Sequence, residues 1–323
     1  MSSVALEEVQ FSKEEVYKAL CKVDPSKSCG PDGIPGRLLR GGAVWLAEPL
    51  TLLYNQSINS GSLPRDWSSS NITPIFKKGS KHSRSNYRPI SLTSITVKIL
   101  ERLIHHKIAN FLSEHLKLSR TQRGFRSGHF CQTQLLESVH WWAESLNHGS
   151  NSNIIFLDFS RAFDSVPHKR LLIKLDHIGI RGSLLEWIEG FISNRQQRVT
   201  VDGCVSNWSN VSSGVPQGSI LGPLLFLIYI NDIGVGLAAN CRLFAGDCTL
   251  FKEVKSVSDA KCLQSDLNKI VTWSRIWQLP LNSSKCKAIC ISNKKSPLLF
   301  TYTINNVNLE WVDNFKYLGV TVD

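Results

Sequence analysis

The sequence predicts an α+β fold of short strands and amphipathic helices. Three observations carry this. Short runs rich in β-formers stop abruptly on an acid or a tight turn, as at residues 153–158 and 242–251. The turn signal Asp202-Gly203 sends its strand back antiparallel. Segments with helical period separate these runs.

In chain order, residues 11–23 form the first amphipathic stretch. Val16, Ala19, Leu20 and Val23 share a face, and Ser12 and Glu15 have capping-box spacing. Gly30-Pro31-Asp32-Gly33-Ile34-Pro35 reads as a rigid loop. Residues 42–60 predict a helix with Leu46, Leu50, Leu53 and Tyr54 inward, stopped by Gly61-Ser62-Leu63-Pro64. Residues 71–76 predict a strand, and Pro74 argues that it lies at a sheet edge. Lys77, Lys78 and Lys81 then make a basic turn. Residues 95–115 predict a helix with Ile99, Leu103, Ile108 and Leu112 as core. Residues 132–146 predict another, whose Trp141 and Trp142 read as core packing rather than stacking platforms.

Ile154, Ile155, Phe156 and Leu157 read as a buried strand ending on Asp158. A carboxylate there is costly unless it is paired or holds a cation. Helices follow over 167–178, closed by Gly179, and over 183–193. After the hairpin at 199–208, the loop Ser213-Gly214-Val215-Pro216-Gln217-Gly218-Ser219 opens an apolar helix. Residues 242–251 read as strand, tight turn, strand, with Asp247 at the turn. Residues 259–276 predict a helix, and 285–292 and 301–305 predict strands.

Composition narrows the partners. The 323 residues carry a net charge of +11, with 42 % hydrophobic and 20 % charged residues, so a packed core is within reach and global disorder is excluded. Nearly all of the net charge lies in residues 71–130, where twelve Lys and Arg face only Glu101 and Glu114. A one-signed block inside a globular segment points to a phosphate-binding surface. Nine cysteines without zinc spacing read as free thiols in a reducing compartment, with no disulfide-linked partner. The start is polar and acidic, unlike a signal peptide, and the longest apolar run, 224–230, is too short to span a bilayer. The expectation is an intracellular protein, nuclear or cytoplasmic, neither secreted nor partnered with a membrane.

The order strand-acid at Asp158, glycine loop with helix at Gly214-Val215-Pro216-Gln217-Gly218, and hairpin-acid at Asp247 resembles motifs A, B and C of reverse transcriptases. The wording Leu157-Asp158-Phe159-Ser160 … Ala162-Phe163-Asp164 is similar to that of non-LTR (LINE-type, jockey-like) retrotransposons. Asn86-Tyr87-Arg88-Pro89-Ile90-Ser91 and Gln122-Arg123-Gly124-Phe125-Arg126 resemble the two fingers motifs, and Tyr317-Leu318-Gly319-Val320 resembles the primer grip. The resemblance implies a right-hand polymerase of fingers and palm without a thumb, the palm a small antiparallel sheet backed by helices. Residues 1–70 would be a helical extension, 71–130 and 166–218 fingers, and 131–165 and 219–323 palm, with 71–323 the whole reverse transcriptase domain.

It also implies a reaction, RNA-directed DNA synthesis by two-metal nucleotidyl transfer from a dNTP to a primer 3′-hydroxyl. The partners would be an RNA template, a DNA primer and dNTP. Two Mg2+ ions would sit on Asp158, the Phe159 carbonyl and Asp247. Lys285 would protonate pyrophosphate. Arg88, Gln217 and Gly218 would contact the nucleotide, and Phe163 would be a steric gate against a ribose 2′-hydroxyl. Lys77, Lys78, Arg126, Tyr317, Leu318 and Gly319 would touch nucleic acid.

One position departs from the family. Where the pattern has two adjacent acids after Phe-Ala, this chain has Gly246 and then Asp247. Loss of a ligand shared by both ions removes on the order of 10³-fold in rate. The expectation is therefore a polymerase fold with weakened metal binding. The alternative is a catalytically dead remnant that only binds nucleic acid. An RNA-dependent RNA polymerase is disfavoured by Phe163 and by Pro216-Gln217-Gly218.

Overall fold

The computed structural model describes residues 4–126 and 128–323. The chain begins with helices α1 (Lys13–Cys21), α2 (Gly36–Gly41) and α3 (Ala43–Ser60), then strands β1 (Ser69–Phe76) and β2 (Tyr87–Thr93). Helices α4 (Ile95–Glu114) and α5 (Cys131–Asn147) lead to β3 (Asn151–Leu157). Next come α6 (His168–Ile178), α7 (Gly182–Ile192), β4 (Arg195–Val201), β5 (Cys204–Val205), β6 (Ser209–Val211) and α8 (Leu221–Ile230). Strands β7 (Asn240–Phe244) and β8 (Asp247–Val254), helix α9 (Val257–Ile276) and β9 (Lys287–Ile291) follow. The chain ends with β10 (Thr303–Ile304), β11 (Val307–Asn308), β12 (Glu310–Trp311), β13 (Phe315–Tyr317) and β14 (Val320–Val322). It is a mixed α+β chain, and it divides into two compact units.

The first unit takes residues 4–117 and 166–229. Its helices start and stop as their ends dictate. Ser12 caps α1 in a full capping box with Glu15. Gly61, at φ 61°, ends α3 by donating back to Ile58 and Ser57. The α3 face differs from the predicted one. Ala43, Ala47, Tyr54 and Ile58 are buried, whereas Leu53 is 38 % exposed. Tyr54 lies inward as predicted, Leu46 and Leu50 are half-buried, and Leu53 turns outward. In α4 the same shift leaves Leu103 half-buried and puts Ile104 inside beside Ile99 and Ile108.

The sheet of this unit runs β2-β1-β4-β5, with β6 also on β4. β1 pairs with β2 along nearly its whole length but with β4 only over Ser69–Ile72. It is therefore an inner strand at its start and an edge beyond Ile72, where Pro74 sits opposite Pro89. The β4–β5 turn is Asp202-Gly203, both at positive φ (48° and 80°), as a two-residue hairpin requires.

The second unit takes residues 118–165 and 230–323. Its sheet has the order β12-β9-β3-β8-β7, with the fully buried β3 at the centre. Ile154 and Phe156 pack on one face with Trp142, Phe251, Tyr317 and Val322. Trp142 is 2 % exposed, so the tryptophans of α5 are core, as their helical setting predicts. Helix α9 packs on β8 and is capped by Ser256 with Asp259. All nine cysteines are free thiols. Among the described residues no helix is long and apolar enough to cross a membrane.

Candidate active site

Two carboxylates meet at the end of the central sheet of the second unit. β3 and β8 run antiparallel, and their final rung pairs Leu157 with Cys248. The next residues, Asp158 and Asp247, therefore stand opposite one another. Opposed residues of an antiparallel pair project to the same face with Cα atoms about 5 Å apart. Both acids line an open cleft of about 490 Å³, together with Lys285, Tyr317 and Leu318. Burial in the cleft, and then the charge of Asp158, raise the Asp247 carboxyl above its ordinary value, although the residue as a whole stays exposed.

Asp158 is held from behind. Its N–H donates to Cys286 Sγ at 3.4 Å, and its carbonyl accepts from the Asn282 N–H at 2.8 Å. Burial pushes the Cys286 thiol up to about 11, so it packs there as a neutral group. Lys285 Nζ stands 3.6 Å from Asp158 Oδ2, an ion pair too long for a hydrogen bond. Oδ2 is shut off from water and has no hydrogen-bond partner. The Phe159 ring is buried and packs edge-on to Trp273 at 6.5 Å, so any ligand role falls to its carbonyl.

The turn that carries Asp247 is Ala245-Gly246, closed by the rung Phe244–Asp247. Ala245 takes a left-handed φ of 55°, which costs energy for a residue with a Cβ and needs support. Gln122 gives that support. It is fully buried, its Oε1 accepts from the N–H groups of Ala245 (3.1 Å) and Gly124 (2.9 Å), and its Nε2 donates to the Ala245 carbonyl (3.3 Å). Leu243 bonds Thr121 at 3.0 Å and Arg123 at 2.9 Å through backbone groups, so residues 121–123 lie along β7 like an added strand.

Sequence singles out this stretch for Arg126. That guanidinium donates to the carbonyls of Ser119 (2.9 Å) and Gln122 (3.1 Å), while Arg123 forks onto Glu137 at 2.6 and 2.9 Å. Sequence reasoning misses Gln122 and Gly124 as supports of the Asp247 turn. The available signal is a glycine outside any turn signature, which marks a close backbone approach. Phe163 lies in the turn run 160–165, half-buried and edge-on to Phe125 at 6.3 Å. Tyr317 is 3 % exposed and its hydroxyl accepts from Gln134 Nε2 at 3.1 Å, while Leu318-Gly319 form the β13–β14 turn with φ 47° and 93°.

In the first unit, Arg88 is exposed on β2, and Lys77 and Lys78 are exposed in the β1–β2 turn. The Gln217 loop clasps the same strand. Ser91 N–H donates to the Gln217 carbonyl at 2.7 Å, and Gly218, at φ 113°, lies so close that a Cβ would fall 2.7 Å from the Ser91 carbonyl oxygen. Gly214 donates to the Val166 carbonyl at 2.8 Å, and its own carbonyl lies 2.9 Å from His168 Nε2. Burial lowers the His168 pKa, so the neutral ring donates here from Nε2.

The base of this loop rests on Glu101, which sequence gives no reason to select. Glu101 is fully buried, and its Oε2 accepts from the N–H groups of Ile220 (2.6 Å) and Leu221 (3.0 Å) at the start of α8. Burial raises its pKa, opposed by those N–H groups and by the charge of Arg195, itself 2 % exposed.

The model of the family "Reverse transcriptase (RNA-dependent DNA polymerase)" matches residues 75–322. The "RNA-directed DNA polymerase from mobile element jockey" of Drosophila funebris is 32 % identical over 322 residues, covering 96 % of this chain and 35 % of that protein. Its Drosophila melanogaster counterpart is 28 % identical over 320 residues, with 96 % and 35 % covered. The "Probable RNA-directed DNA polymerase from transposon X-element" of Drosophila melanogaster is 29 % identical over 320 residues, with 97 % and 35 % covered. The chain thus spans about a third of the length of these relatives. With a family match over most of its length, the chain belongs to the reverse transcriptase (RNA-dependent DNA polymerase) family, alongside the polymerases of non-LTR retrotransposons.

Proposed function

We propose that this chain is the RNA-directed DNA polymerase domain of a non-LTR retrotransposon, with catalysis impaired at one residue. The observation that carries the reading is the opposition of Asp158 and Asp247 at the end of β3 and β8. In this reading residues 131–165 and 219–323 are the palm and residues 71–130 and 166–218 the fingers. The sheet of the first unit belongs to the fingers, and residues 1–70 are a helical extension. The partners are an RNA template, a DNA primer and dNTP.

The two acids fit a hard divalent cation. Asp158 Oδ2 is buried without a hydrogen-bond partner, and burial, then the Asp158 charge, raises the Asp247 carboxyl above its ordinary value. Mg2+ ions, when bound, lower the pKa of the attacking 3′-hydroxyl and neutralise the leaving oxygens. Asp158, the Phe159 carbonyl and Asp247 would hold them. The set is one carboxylate short. Among the described residues no group of three His, Cys, Asp or Glu is placed to hold a metal ion, and Gly246 stands where the family resemblance expects the shared acid.

The other residues keep the roles that the family resemblance implies. Lys285, now ion-paired to Asp158, is the proton donor to the leaving pyrophosphate. Arg88, Gln217 and Gly218 hold the nucleotide, and Phe163 excludes a 2′-hydroxyl. Lys77, Lys78 and Arg126 face nucleic acid, and Tyr317, Leu318 and Gly319 grip the primer. Gly246 also favours a second reading, a remnant that binds nucleic acid without copying it. Extension of a DNA primer on an RNA template by the Gly246→Asp variant separates the two. Product with dNTPs and not with rNTPs is expected. No product from either nucleotide set would favour the remnant.

A further inference from the structure

The sheet of the first unit presents a face that, apart from Arg88, the proposed chemistry does not use. The register places Asn71, Thr73 and Ile75 of β1, Arg88, Ile90 and Leu92 of β2, and Arg198 and Thr200 of β4 on that side. The opposite side carries the core residues Ser70, Ile72, Ser91 and Thr93. The first face holds two arginines and, among the described strand residues, no acid. Four residues along β2 and two strands across separate Arg88 from Arg198, about 13 Å one way and about 10 Å the other.

At the β4 end the face is crowned by an ordered stack. The Arg198 guanidinium lies over the Trp208 ring at 4.6 Å. Its Nε donates to Asn71 Oδ1 at 2.8 Å, which fixes the plane of the fork. Trp208 nonetheless keeps 41 % of its surface exposed, in a stretch, 201–210, where every residue is exposed. A large indole left open to water, oriented by a fixed cation on an arginine-bearing and acid-free face, fits a ligand that is both aromatic and anionic. An unpaired nucleotide has that chemistry.

We propose that Trp208, held on Arg198, is a stacking platform for an unpaired base of an RNA strand crossing this face, with Arg198 meeting its phosphate. The proposal rests on the nucleic-acid reading above and adds a site to it outside the carboxylate cleft.

The test is binding of the full chain to a fluorescein-labelled, unstructured RNA oligonucleotide, followed by anisotropy. A second strand of the same length carries abasic ribose. Trp208→Ala should weaken binding to the base-bearing strand on the order of tenfold. Trp208→Phe should restore most of it. Neither substitution should change binding to the abasic strand or the slope of log affinity against log salt. Unchanged affinity of Trp208→Ala for the base-bearing strand overturns the proposal. An equal loss on both strands overturns it too, because Trp208 would then only support the hairpin. None of these readings needs polymerase activity, so failure here and failure of the primer-extension test are distinct results.

Discussion

A methyl group at Gly124 would strike the turn that carries Asp247. A Cβ built there lies 2.2 Å from the Ala245 nitrogen, 2.9 Å from the Phe244 carbonyl carbon and 3.0 Å from the Ala245 Cα. All three are backbone atoms, so no change of rotamer relieves the contact. Heavy atoms settle at about 3.5 Å, so the two segments must part by about 1 Å. Overpacking of this kind costs about 1–3 kcal/mol. The same displacement stretches the Gln122 bonds to Ala245, already 3.1 and 3.3 Å, beyond useful length. Each lost bond adds about 1 kcal/mol. Gly124→Ala should therefore lose about 3 kcal/mol or more, read as a fall in the urea midpoint. Gly41→Ala is the control, since a Cβ there meets nothing within 4 Å and the site is helical. It should be neutral or stabilising by up to about 1 kcal/mol. A Gly124→Ala midpoint equal to wild type would refute the claim that this backbone approach holds the turn.

Gln122→Ala removes the three hydrogen bonds that brace the same turn and should cost about 2–3 kcal/mol in urea unfolding; a loss under about 0.5 kcal/mol would contradict the bracing role. Glu101→Gln tests the buried carboxylate under α8 through pH. Burial raises the folded Glu101 pKa above its unfolded value, so the fold binds that proton more tightly. Its contribution favours folding at low pH and is lost as pH climbs from the ordinary carboxylate range through the raised value. The stability of Glu101→Gln relative to wild type should accordingly rise across that window, by about 1.4 kcal/mol for each pH unit crossed. A relative stability that falls with pH would reverse the sign.

Local chemistry is legible in the chain. Ser12 with Glu15, Gly61, Gly179 and Asp202-Gly203 announce their ends and turns because each is a short-range device with few alternatives. Asp158 stands out because a buried strand rarely ends on an acid without a use for it. What fails to show is tertiary. Leu53 and Leu103 sit one helical step from the buried faces, and propensity cannot see that step. Glu101 reads as one of two acids in a basic block, yet it is buried under α8 because the N–H groups of Ile220 and Leu221 need an acceptor. In Gln122-Arg123-Gly124-Phe125-Arg126 the charged residues draw notice, while the amide and the glycine hold the turn. The opposition of Asp158 and Asp247 follows from the β3–β8 register, which no local pattern fixes.

In the proposed function Asp158 and Asp247 form one metal-binding carboxylate site that lacks a single member at position 246. Single-turnover addition of one dNTP to a DNA primer on an RNA template tests it most directly. The assay compares the chain as it stands, Gly246→Asp, and Gly246→Asp combined with Asp158→Asn. The account predicts a gain on the order of 10³-fold from Gly246→Asp and its loss again when Asp158 is neutralised. Equal rates with glycine or aspartate at 246, or a restored rate that survives Asp158→Asn, would contradict it.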